Sequence, residues 1–191
     1  MTVRSRLHAV DRRLYTALAA PVGEPFDTSL SRFTNAADNS RLSMVTAATL
    51  AIVGGRRGRR SALMGLACVG ATSAVTNLIV KPVARRRRPD RKESHHAHPP
   101  GGAGYVPMPS SASFPSGHWA AAVACAVGVW SVWPAAGIPV AGLAGVVGYS
   151  RVHAGVHYPG DVLAGFALGG VVAVVVETSL SRVIPVGTAP N

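Results

Sequence analysis

The stretch SRVHAGVHYPGD, residues 150–161, places one Arg, two His and one Asp between two long runs of Ala, Val, Gly and Leu. Ionisable side chains rarely enter such a chain unless they are paired or serve chemistry. The junction therefore marks both the end of one hydrophobic segment and a candidate site. The segments on either side set the fold class.

Of the 191 residues, 48% are hydrophobic and 14% charged, whereas a soluble domain carries about 25% charged residues. The length suits one domain. The charges cluster, so the apolar blocks are nearly bare. None shows the polar stripe at a 3.6-residue period expected of a soluble bundle helix. Five blocks run over residues 42–55, 61–80, 118–133, 135–149 and 161–180. About 20 residues cross the hydrocarbon core. The second and fifth blocks reach that length; the other three must extend into their flanks or tilt less. The expected fold is an all-α integral membrane protein, a helical bundle of about five transmembrane helices. Recurrent Gly and Ala, as in GLACVGATSA (65–74) and GLAGVVG (142–148), permit close helix approach.

Residues 1–40 are expected to form an N-terminal amphipathic, interfacial segment, with the membrane domain at 41–182 and a tail at 183–191. In RSRLHAVDRRLYTALAAPV (4–22), Leu7, Val10, Leu14 and Leu18 fall on one helical face. Arg6, Arg12 and Arg13 lie off it, with Asp11 at its edge. That spacing suits a helix on a membrane surface, or equally a short helix packed on the bundle. No cleavable signal peptide is evident, because the first 20 residues lack a continuous apolar core.

A net charge of +11 suggests nucleic acid at first sight. The cations lie beside apolar segments instead, in RRGRR (56–60) and KPVARRRRPDRK (81–92), a placement that suits anionic headgroups and excludes nucleic acid as the expected partner. Cys68 and Cys125 sit within apolar blocks and are expected to be core thiols. Residues 56–60 and the turn at Pro134 are expected to be short loops, and 81–117 one long one. With five spans, the long loop and the 150–160 turn fall on the same side of the membrane.

Those two segments hold three polar clusters. Lys81 and Arg88–Pro89 are spaced K-x6-R-P at the end of the second block. PSGH, Pro115 to His118, opens the third. Ser150–Arg151, His157 and Asp161, spaced S-R-x5-H-x3-D, cross from the fourth to the fifth. Each alone is weak: a basic run beside a membrane is usually a headgroup anchor, and PSGH alone suits a turn. Together, in this order and at these boundaries, they resemble the three-part signature of the type 2 phosphatidic acid phosphatase superfamily, which includes bacterial acid phosphatases and vanadium haloperoxidases. The resemblance covers residues 42–180, and the N-terminal 40 add little to it.

The chemistry of the residues agrees. A phosphate monoester carries about −1.5 to −2 charge at neutral pH, and Lys81, Arg88 and Arg151 supply a point charge and two planar forks for it. Ser116 and Gly117 open a helix whose N–H groups and dipole favour an anion, with no Gly117 side chain to obstruct approach. His157 and Asp161 are one helical turn apart, so Asp161 can hold one ring nitrogen and free the other to attack phosphorus. His118 can protonate the leaving oxygen. The resemblance implies the same division, a phosphohistidine at His157 with a second His as acid, and no metal or other cofactor is required.

Other features receive blander readings. His153 lies four residues before His157, but HAGVH lacks the Glu of a zinc H-E-x-x-H motif, so a structural or rim role is expected. SHHAHPP (94–100) reads as a solvated loop rather than a metal site. Arg85, Arg86 and Arg87 read as headgroup contacts, and Trp119, Trp130 and Trp133 as interfacial anchors. The expected function is a membrane lipid phosphatase acting on a phosphomonoester or diphosphate, of polyprenyl or phosphatidic acid type. The alternatives are a vanadate-dependent haloperoxidase or a non-catalytic lipid-phosphate-binding protein. The positive-inside rule would put the long loop in the cytoplasm; the resemblance puts the site on the extracytoplasmic face, which is the expectation adopted. The oligomeric state is left open.

Overall fold

The computed structural model describes residues 3–90 and 104–183. Among them are seven helices and no strand. The helices are α1 (Val3–Leu18), α2 (Glu24–Ala36), α3 (Arg41–Val53), α4 (Gly55–Ala84), α5 (Gly117–Val132), α6 (Pro134–His153) and α7 (Pro159–Val183), with a 3₁₀ turn at Asp38–Ser40 between α2 and α3. All five expected blocks are helical. Three helices, α4, α6 and α7, are long and apolar enough to cross a membrane; α3 and α5 are apolar but shorter. The protein is an all-α integral membrane protein.

The expected loop at 56–60 is not a loop. The chain turns at Gly54–Gly55, and Arg56 to Arg60 are already helical. Gly55 has φ 56, a left-handed conformation that glycine adopts without steric cost. A Cβ on Gly54 would lie 2.5 Å from the Trp133 ring. Trp133 thus packs on the α3–α4 turn, with Arg57 over its ring at 5.9 Å.

Helix α4 is 30 residues long, about 45 Å at 1.5 Å per residue, longer than the roughly 30 Å hydrocarbon core of a bilayer. Its Val75–Val80 stretch is π-helical and leads into Lys81. Pro82, which has no N–H for the helical ladder, follows directly.

Helix α5 is the centre of the bundle, packed against α4, α6 and α7. Its inward positions are small: Ala120, Ala121, Ala124 and Cys125 are buried. Close approach by α7 depends on glycine. A Cβ on Gly165 would meet the Ser116 carbonyl oxygen at 2.6 Å, and one on Gly169 the Ala120 oxygen at 2.3 Å. These contacts seat the second and third turns of α7 against the first turn of α5. Cys68 and Cys125 are buried free thiols, as expected.

The N-terminal helices cross the end of the bundle where α4 ends and α5 begins. Helix α1 buries Tyr15 and Ala19 against Val152, Tyr158 and Val162, leaving Leu7, Val10, Leu14 and Leu18 exposed. Helix α2 is tied to α6 by a buried contact between Asp27 Oδ1 and His153 Nε2 at 2.9 Å. Burial alone would raise the Asp27 carboxyl. The backbone N–H groups of Val22 and Gly23, with His153, hold it below the usual range.

Candidate active site

Four helix ends meet here: the C-termini of α4 and α6 and the N-termini of α5 and α7. The segments 81–90 and 150–161, expected on the same side of the membrane, are in direct contact. Arg88 Nη1 donates to the Val156 carbonyl at 2.7 Å.

His157 lies buried in the turn before α7. Its Nε2 is 3.2 Å from Arg88 Nη1. A guanidinium can only donate, so Nε2 holds the lone pair and Nδ1 the proton. Nδ1 faces Asp161 Oδ2 at 3.7 Å, longer than a hydrogen bond and looser than the direct contact expected. The reason is competition. Asp161, fully buried, accepts from Ser113 Oγ at 2.6 Å, from the Tyr158 N–H at 2.9 Å and from Arg86 Nη1 at 2.8 Å. Burial pushes the His157 imidazole down to about 4; Asp161 opposes the shift, and the Arg88 and Arg151 cations add to it.

Arg86 is thus not the headgroup contact the sequence suggested. Its guanidinium bridges Asp161 and, at 2.6 Å, Asp11 of α1, and it stacks 4.4 Å from the Tyr158 ring centroid. Asp11 also accepts the Gly160 N–H at 2.7 Å, in the first turn of α7.

The phosphate-binding candidates also converge. Arg88 is held by the Ser111 carbonyl at 3.0 Å, and Lys81 Nζ lies 3.3 Å from Ser111 Oγ. A Cβ on Gly117 would sit 3.5 Å from Lys81 Nζ. That is ordinary contact, so the glycine keeps space open before the lysine rather than averting a clash. Ser116 caps α5, but its N–H donates to the Asp161 carbonyl at 2.9 Å. Anion-binding N–H groups must therefore come from the residues after it in the first turn. Among the described residues, the buried atoms Ser116 Oγ, Arg151 Nε and His157 Nδ1 find no hydrogen-bond partner.

The residue that sequence reasoning missed is Asp38. From the 3₁₀ turn it pairs with Arg151 and, at 3.1 Å, with His118 Nε2. Arg151 is 1% exposed and Asp38 34%. Burial would raise the Asp38 carboxyl, but His118 and Arg151 hold it at about 2. No local motif announces an acid in AADNS; only its place in space does. His153 and His157 point apart, into Asp27 and Arg88. Trp119 and Trp130 do more than anchor: with Val123, Val127 and Phe166 they line an apolar groove of about 280 Å³. The SHHAHPP segment lies outside the described residues.

This arrangement can hold a tetrahedral anion among Lys81, Arg88, Arg151 and the α5 N-terminus, with one imidazole nitrogen facing in. The profile of the PAP2 superfamily matches residues 62–184. The protein belongs to the PAP2 superfamily. It is 36% identical over 102 residues to decaprenylphosphoryl-5-phosphoribose phosphatase from two strains of Mycobacterium tuberculosis, a match covering 53% of this chain. The chain spans about half the length of those curated relatives, 51%. Its fold is similar to that of a transmembrane PAP2-type phosphatidylglycerolphosphate phosphatase from Bacillus subtilis, with TM-score 0.67 and 24% identity over 95% of this chain and 89% of that one. It is also similar to LpxE from Aquifex aeolicus, with TM-score 0.65 and 22% identity over 87% of this chain and 93% of that one. Asp11 and Asp38 lie before the matched region, so two site contacts come from outside the family profile.

Proposed function

We propose that the protein is a lipid phosphatase that transfers the phosphoryl group of a polyprenyl-type phosphate to His157 and then to water. The observation that carries this is the His157 geometry: Nε2 toward the Arg88 cation, Nδ1 toward Asp161. Nε2 attacks phosphorus as the bond from phosphorus to the leaving oxygen breaks. That oxygen takes a proton from His118, which Asp38, 3.1 Å from its Nε2, supports in the protonated form. His118, now neutral, removes a proton from water; the hydroxide displaces Nε2 and inorganic phosphate leaves. Lys81, Arg88, Arg151 and the first turn of α5 offset the charge that develops on the phosphoryl oxygens.

The polyprenyl class is supported by the mycobacterial relatives and by the groove between Trp119 and Trp130. That groove extends about 16 Å along α5 from the site and suits an isoprenoid chain while the headgroup stays at the helix ends. Phosphate release by detergent-purified protein in EDTA, from a polyprenylphosphoryl sugar bearing a terminal phosphomonoester, phosphatidic acid and phosphatidylglycerol phosphate, tests the reading. Metal-independent release is expected, greatest with the polyprenyl substrate. Release from none of these would leave a lipid-phosphate-binding protein. The extracytoplasmic placement of the site follows the family resemblance. Met108→Cys should label with an impermeant thiol reagent in intact cells, against buried native thiols; labelling only after lysis would reverse it.

A further inference from the structure

A second cavity, of about 880 Å³, lies between α1, the end of α4 and the start of α7. Its walls include Val10, Leu14 and Leu163, and Arg85, Arg86, Arg87 and Asp11 also line it. His157 does not line it, and neither Lys81, Arg88 nor Arg151 does. Its volume is within the range of lipid and cofactor sites.

Three observations indicate what it would take. Arg85 and Arg87 are exposed and pair with no carboxylate among the described residues, and Arg85 uses only its Nε, on the Pro82 carbonyl at 3.1 Å. Arg85 also holds φ 43, a left-handed conformation disfavoured for any residue but glycine, which ends α4 at the cavity. Finally, the exposed apolar face of α1 forms one wall, a surface suited to the acyl boundary of a bilayer. Two guanidinium forks beside an apolar wall match a phosphate headgroup with its chain. Arg86 on the same wall is held by Asp11 and Asp161, so Arg85 and Arg87 are the cations left to meet an anionic headgroup, and phosphodiester lipids are the anionic headgroups a bilayer presents.

We infer that this cavity binds an anionic phosphodiester lipid of the surrounding bilayer, not the substrate, and that its occupancy supports the catalytic centre. The link runs through α1. Asp11 accepts from Arg86 at 2.6 Å and from the Gly160 N–H at 2.7 Å, and Arg86 holds Asp161 behind His157. A headgroup joining α1 to Arg85 and Arg87 fixes Asp11, hence Arg86, hence the carboxylate that faces the imidazole.

The test uses nanodiscs of phosphatidylcholine with increasing phosphatidylglycerol and two readouts. Native mass spectrometry should find phosphatidylglycerol retained by the wild type and at least several-fold less by Arg85→Gln/Arg87→Gln. Turnover of the water-soluble p-nitrophenyl phosphate should rise several-fold with phosphatidylglycerol in the wild type, stay flat in the double variant, and be equal for both in pure phosphatidylcholine. Leu163→Trp, which fills the cavity without removing a charge, should lose the same retention should the double variant fold poorly. Equal retention by wild type and both variants would overturn the inference. So would a defect confined to the KM for lipid substrates, which would make the cavity the substrate's own site. Retention is read without catalysis, so an inactive protein that still binds phosphatidylglycerol would sink the phosphatase reading alone.

Discussion

His153 and His157 are four residues apart, both buried, and each lies beside an aspartate brought by another turn of chain. Among the described residues, His157 faces cations, Arg88 and Arg151. His153 is enclosed by Asp27, the Leu18 carbonyl, and the rings of Tyr149 and Phe26, so its nitrogens join α1 and α2 to α6. His157 turns Nε2 to Arg88 and keeps Nδ1 toward Asp161. A buried His–Asp pair is therefore not by itself a catalytic feature. What separates the two is a guanidinium that holds the other nitrogen's lone pair in the space where an anion would sit.

The comparison breaks most sharply by substitution. His157→Ala should lower phosphate release by more than ~10³-fold, the scale for losing a covalent nucleophile, with unchanged circular dichroism. Similar residual activity in the two histidine variants would erase the distinction. His118→Ala should cost ~10²–10⁴-fold on a lipid substrate, the usual range for a general acid. The loss should shrink for p-nitrophenyl phosphate, whose leaving group needs no proton; an equal loss on both would remove His118 from the acid role.

Asp38→Asn should lower turnover by about tenfold, the effect of about 1.4 kcal/mol of lost electrostatic support. Without its carboxylate the His118 imidazolium is less stable, so the alkaline limb of the pH profile should move to lower pH. An unmoved limb would make Asp38 a fold contact only. On the acid side, the nucleophile must be unprotonated, and its folded value of about 4 lies below that of a free imidazole. The acidic limb of kcat/KM should thus fall near pH 4, not near 6.5. Between those values the unfolded chain binds a proton that the folded one refuses, so stability declines as pH falls through that window. The smallest effect on turnover is expected for His153→Ala. It strips Asp27 of a buried partner and costs about 1–3 kcal/mol of stability, while activity per folded molecule stays within about twofold. A thermal melt beside a normalised rate checks both halves.

The side chains that converge were legible because ionisable residues cluster at helix ends, and helix ends can be read from where apolar runs stop. Lys81, Arg88, His118, Arg151, His157 and Asp161 all reach one place for that reason. The loop expected at 56–60 was misjudged because four arginines read as solvent, whereas a glycine in left-handed conformation turns the chain in one step and lets them start a helix. Arg86 looked like its neighbours in a run of four. Only its position over Tyr158, between Asp11 and Asp161, sets it apart.

The sequence by itself determined the membrane class and the helical bundle, because composition and spacing along one chain carry that information, and its three polar clusters carried the family resemblance that pointed to the candidate site. Tertiary structure alone decided which acids complete the site. Asp11 and Asp38 come from a segment with no motif, more than a hundred residues from the Gly160 and Arg151 they touch. An ion pair depends on distance in space, and chain separation of that length encodes none of it. The same holds for the unequal fates of His153 and His157: identical residues one turn apart, divided by what α2 and the 81–90 segment bring against them.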